Sequence, residues 1–162
     1  MTEVYAERLT AGKEYQDFTA LKLYEAGIPI GLLTSEKYQR NYGENIAGIE
    51  IKLDRRLEET GNLYFETHEK SNAGNIDYVF SGIFRKDNAW LWGIGGYRIL
   101  YIIPKLSLQR LYYKHHGNIT LNCYKERNTP TSMGFTLNAE WVEKYLAARV
   151  LRFEKKIADK AC

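Results

Sequence analysis

Glu44 and Glu50 lead into Lys52 within the run Gly43-Glu44-Asn45-Ile46-Ala47-Gly48-Ile49-Glu50-Ile51-Lys52. Ile49, Ile51 and Leu53 alternate with Glu50, Lys52 and Asp54, which predicts a strand over residues 46–54. Alternation puts Glu50 and Lys52 on one face, about 7 Å apart at their Cα atoms. A carboxylate and an ammonium side by side on a rigid element suit phosphodiester hydrolysis. That reaction needs a hard cation held by carboxylate oxygens. The cation activates water, and a positive side chain orients that water or steadies developing charge. Glu50 offers one ligand, the backbone carbonyl of Ile51 another, and Lys52 the positive side chain. Glu44, just ahead of the strand, offers the second acid. An acid-x-Lys triplet by itself equally describes an amphipathic strand with one solvated face. Glu154-Lys155-Lys156 repeats the triplet on a predicted helix, where the geometry is wrong.

The elements that must position these residues follow from periodicity. Tyr15, Phe18, Leu21 and Tyr24 recur at helical steps, so residues 12–26 are expected to be a helix stopped at Gly27. Residues 30–34 read as a short strand and 35–45 as a polar loop or an irregular strand. Residues 62–70 read as a second strand, expected to form a long-looped hairpin with the first. Glu66, His68 and Lys70 share one of its faces, and Glu66 and Lys70 are candidates to stand behind the site. Residues 78–84, 90–94, 98–103 and 119–124 are strand-like, with a short helix over 106–115. Gly93 to Gly96 lacks the lysine of a phosphate-binding loop and reads as a hairpin turn. A long C-terminal helix is expected over 139–159, capped by Asn138, with Val142, Tyr145, Leu146, Val150, Phe153 and Ile157 on one face. The order describes one α/β domain over residues 1–162, a mixed sheet flanked by helices.

The chain has 162 residues and a formal net charge of +3, which permits a polyanionic partner without demanding one. Aromatic and basic residues interleave from Arg110 to His116, and Arg55 and Arg56 directly follow the predicted catalytic strand. Arg55, Arg56, Arg110, Tyr113 and Lys114 are therefore the candidate nucleic-acid contacts. His115-His116 has no acid or thiol at ligand spacing and reads as surface. No apolar run is long enough to cross a bilayer, and the first residues carry no export signal, so no membrane association and a cytoplasmic location are expected. The two cysteines make no disulfide framework.

The Gly-Ile-Glu-Ile-Lys strand, after an acid in a loop and ahead of a second strand, resembles the PD-(D/E)XK nuclease superfamily. That superfamily includes restriction endonucleases, Holliday-junction resolvases and the nicking endonuclease of mismatch repair. Ser81-Gly82, Asp87-Asn88-Ala89-Trp90-Leu91-Trp92, Ile99 to Pro104 and Leu106 to Leu111 continue the likeness, which covers about residues 12–112. The resemblance implies a restriction-endonuclease-like fold and cleavage of DNA dependent on Mg²⁺ or Mn²⁺. The family's first acid falls on Glu44, its second on Glu50 and its lysine on Lys52. Glu stands where the family has Asp, and no Pro precedes it, so Asp54 and Glu36 remain substitutes for Glu44. Members also place an acid on the first helix, which here is Glu14 or Glu25. A homodimer is expected if both strands are cut, with the apolar stripe of the 139–159 helix as its surface. The alternatives are a non-catalytic nucleic-acid-binding module or an assembly protein on the same fold.

Overall fold

A computed structural model describes residues 3–117 and 123–153. Among the described residues it is a mixed α/β structure with two four-stranded sheets and five α-helices. Helix α1 (Glu3–Glu25) ends where expected: Gly27 takes a φ of 76°, and Ile28 donates back to the Leu23 carbonyl. Its buried face is Tyr15, Thr19 and Leu23, at four-residue steps, with Phe18 packed alongside. Leu21 and Tyr24 are exposed, so the stripe lies about one residue round from the expected one. Residues 36–42 form helix α2 (Glu36–Tyr42) in place of the predicted loop. The strand expected over 30–34 shrinks to a single bridge between Leu32 and Asn45.

The first sheet has strand β1 (Ile49–Leu53) at its edge. It runs parallel to β4 (Leu91–Gly96), which pairs antiparallel with β5 (Ile99–Pro104), which in turn pairs with β8 (Arg149–Arg152). The second sheet is antiparallel, ordered β3 (Val79–Phe80), β2 (Asn62–Glu69), β7 (Ser132–Asn138), β6 (Tyr124–Asn128). The expected hairpin of β1 with β2 is therefore absent, and the two strands lie in different sheets. A short helix α3 (Leu57–Thr60) turns the chain between them, and the Tyr64 N–H donates 2.9 Å to Asp54 Oδ2.

The first sheet is the middle layer. Ile49, Ile51, Leu100 and Ile102 on one face pack with Tyr15 and Leu23 of α1. On the other face, Trp92, Ile94, Tyr101 and Ile103 meet Leu63, Phe65, Phe135 and Leu137 of the second sheet and Leu108 and Tyr112 of helix α4 (Lys105–His115). Glu50 is in register with Trp92, and Lys52 with Ile94. Both charged side chains therefore point to the apolar space between the sheets, at its β1 edge.

The C-terminal expectation is corrected. Asn138 does cap a helix, its Oδ1 accepting from the Trp141 N–H at 3.1 Å, but α5 (Ala139–Tyr145) stops there and residues 149–152 become β8. The helical spacing of Val142, Leu146, Val150 and Phe153 is satisfied another way. Val142 and Val150 reach the core between the sheets, while Leu151 and Phe153 pack with the α1 layer. Pairing with β5 gives that strand's backbone groups their partners. Of the stripe expected to serve a dimer, Val142 is buried, Leu146, Val150 and Phe153 are half-buried and Tyr145 is exposed. The remainder of the predicted helix, and residues 118–122 of the predicted 119–124 strand, lie outside the described residues. No helix among the described residues is long and apolar enough to cross a membrane.

Candidate active site

The loop from Gly43 to Gly48 folds onto the free edge of β1 and completes it with side chains. Asn45, buried, accepts from the Ile49 N–H at 3.1 Å and donates to the Ile49 carbonyl. Two residues on, the Ile51 N–H donates 2.9 Å to Glu44 Oε2. The N–H and C=O of one strand residue point the same way, so the Ile51 carbonyl faces the side on which Glu44 lies. Gly48 makes the geometry possible. Its φ is 68°, and a Cβ there would lie 2.5 Å from the Trp90 ring and 2.9 Å from the Asn88 carbonyl oxygen. Gly48→Ala is expected to lower stability by about 2–3 kcal/mol, from left-handed strain plus that overlap, as read by urea denaturation. A loss under about 0.5 kcal/mol would mean the loop is not held against Trp90 in solution.

Glu44, Glu50 and Lys52 come together. Lys52 Nζ is 2.9 Å from Glu50 Oε1 and 3.4 Å from Glu44 Oε1. The Glu50 side chain is 3% exposed and that of Lys52 39%, so the lysine is the member that can reach an incoming molecule. Burial is the largest influence on the Lys52 ammonium and works to lower its pKa. Glu50 and then Glu44 outweigh it, and the net direction is upward from the ordinary lysine value. Lys52 is therefore a cation at neutral pH, suited to steadying charge and not to taking a proton.

Two residues join the site that were not among its candidates, Lys105 and Asp87, the latter named only in the family likeness. Lys105, buried at the start of α4, places Nζ 3.5 Å from Glu50 Oε2 and 3.1 Å from Asp87 Oδ1. Asp87 also accepts from the Ala89 N–H and faces Arg85 at 3.7 Å. Residues 87 and 105 are far apart in sequence, yet the β4–β5 hairpin pairs Leu91 with Pro104 and so brings its two flanks to one end of the sheet. Glu66 lies nearby: it accepts 3.0 Å from the Ser81 hydroxyl. Burial lifts its carboxyl above the usual value, while the Ser81 hydrogen bond and the Lys52 charge pull the other way.

The other candidates fall elsewhere. Glu14 is exposed on α1, which covers the opposite face of the sheet, and Glu25 pairs with Lys22 on the same helix. Lys70 donates 2.8 Å to the Asn75 carbonyl and sits over the Tyr78 ring, tying down the 70–78 loop. Asp54 spends its oxygens on the backbone N–H groups of Arg56 and Tyr64, and Glu36 is exposed in the first turn of α2. Of the acids considered for the first position, Glu44 is the one brought beside Lys52. Arg55 and Arg56 are exposed just beyond β1, and Arg110, Tyr113 and Lys114 line the exposed side of α4. His115, expected at the surface, is buried near Tyr124, and His116 stacks on Tyr112 and bonds Glu126.

Among the described residues no group of three or more His, Cys, Asp or Glu side chains is placed to hold a metal. The donor set here is two carboxylates and the Ile51 carbonyl, which fits an ion such as Mg²⁺ that keeps several waters and takes one or two carboxylates. Glu50 Oε2 supports that fit, since it is buried and accepts no hydrogen bond from the described residues. Comparisons with protein-family models, with curated proteins and with solved structures return no match to the chain.

Proposed function

We propose that the chain is a metal-dependent endodeoxyribonuclease on a restriction-endonuclease-like fold, with Glu44, Glu50 and the Ile51 carbonyl holding Mg²⁺ or Mn²⁺ and Lys52 assisting the reaction. The observation that carries this reading is the convergence of Glu44 and Glu50 on one partly exposed lysine at the β1 edge of the sheet. Buried acid aimed at a lysine from a loop and a strand is costly to maintain for stability alone. A cation bound there would supply an activated water and offset charge at phosphorus. Glu44 is held by the Ile51 N–H and Glu50 by its burial, and a bound cation would take the place that the Lys52 ammonium now has between them. Lys52, kept protonated, donates hydrogen bonds to water or to a phosphate oxygen. Attack of the water oxygen on phosphorus breaks the bond to the leaving oxygen, which takes up a proton.

One observation favours a non-catalytic reading: Glu50 is already ion-paired twice within the chain, as a purely structural cluster would be. Incubation with supercoiled plasmid separates the two. Nicked circles should appear in Mg²⁺ and in Mn²⁺ and not in EDTA. Shifted but intact plasmid in every metal would support a binding module. Linear product without a nicked intermediate would require two copies acting together.

The substrate must pass this edge, where Arg55 and Arg56 follow β1. With Ca²⁺ as the supporting ion, Arg55→Ala/Arg56→Ala should flatten the dependence of log affinity on log salt by about two units, about one per lost phosphate contact. An unchanged slope would remove both arginines from the DNA path.

A further inference from the structure

A buried carboxylate is tolerated when positive charge surrounds it. Glu50 is served from both oxygens, by Lys52 on Oε1 and Lys105 on Oε2. The two lysines are not equivalent. Lys52 is partly exposed, shared with Glu44 and able to turn toward a substrate. Lys105 is buried, and it donates to Asp87 Oδ1 and to the Arg85 carbonyl, each at 3.1 Å. Two of its three protons are thereby directed away from Glu50, and its position does not depend on the Glu50 contact. At 3.5 Å that contact is electrostatic and longer than a good hydrogen bond, which agrees with an Oε2 that has no hydrogen-bond partner.

We propose that Lys105 is a fixed counter-ion of Glu50 with which a divalent cation must share that carboxylate, so that the Asp87–Lys105 pair sets how tightly metal binds before a substrate phosphate arrives. The inference rests on the reading of Glu50 as a metal ligand. A cation on Glu50 would be repelled by the Lys105 ammonium, which Asp87 and the Arg85 carbonyl hold in place, and in a partly buried site such repulsion is worth about tenfold in affinity. Asp87 tempers it. A substrate phosphate adds negative charge at the same place, so metal and substrate each favour the other's binding.

The test is Mn²⁺ binding to the full chain without DNA, read as free Mn²⁺ by electron paramagnetic resonance. Lys105→Gln/Asp87→Asn keeps a hydrogen-bonded pair of similar size and removes both charges. It should bind Mn²⁺ about tenfold more tightly than the parent, because the nearer charge lost is the repelling one. Asp87→Asn alone leaves the lysine untempered and should bind about tenfold more weakly. A merely structural pair would not move affinity in opposite directions. Circular dichroism and thermal unfolding establish which variants fold, and Asp87→Asn decides alone if the double variant does not. Affinities equal to the parent in folded variants overturn the proposal. Glu50→Gln binding Mn²⁺ as tightly as the parent would instead overturn the metal-ligand reading beneath it.

Discussion

Glu50→Gln is expected to reduce plasmid cleavage by about a thousandfold or more, the scale of removing an electrostatic group aimed at the reacting centre. The substitution keeps the volume of a buried side chain on the edge strand and removes its charge. Lys105 remains paired with Asp87, and Lys52 with Glu44, so neither ammonium is stranded. The fold should therefore persist, at a stability cost of about 1–3 kcal/mol for the lost charge-assisted contacts. Cleavage by a folded Glu50→Gln protein at the parent rate would show that the reaction, if any, lies elsewhere.

Lys52→Ala should give the next largest effect, a fall of about a hundredfold in the single-turnover rate with DNA affinity changed by less than about threefold. The asymmetry follows from position. Lys52 is one charge at the centre of the site, while exposed Arg55 and Arg56 lie just beyond the strand, on the expected path of the phosphate backbone. Lys52 also holds two carboxylates together, so Glu44 and Glu50 should repel in its absence and bind a cation more avidly. Loss of affinity with an unchanged rate would make Lys52 a phosphate contact and leave the chemistry without its cationic group.

The site strand was legible because its signal is local. Ile49 and Ile51 are buried against α1, and strict alternation then sends Glu50 and Lys52 the other way. The cap at Asn138 and the stop at Gly27 were legible for the same reason, each being decided within a turn of the chain. Sheet membership was not. The strand after β1 was expected to pair with it, but β2 finds its partners in β3 and β7, whose strand-forming character depends on the whole second sheet. Residues 146–153 misled for a related reason, since Val150 and Phe153 fit a helical stripe and an edge strand equally well, and the unpaired side of β5 decides between them. Within the site, Glu44 was visible from its place before the strand. Asp87 stood in the sequence only as part of the family likeness and Lys105 not at all, because a buried lysine is recognisable only by the acids that strand pairing brings to it.

Diffraction from crystals soaked in Mn²⁺, recorded at the manganese absorption edge, tests the central claim most directly. One anomalous peak is expected within about 2.0–2.3 Å of carboxylate oxygens of both Glu44 and Glu50, with the Ile51 carbonyl as a further neighbour. A fully soaked crystal with manganese bound only at other acids, and Glu50 still held between Lys52 and Lys105, would contradict the account.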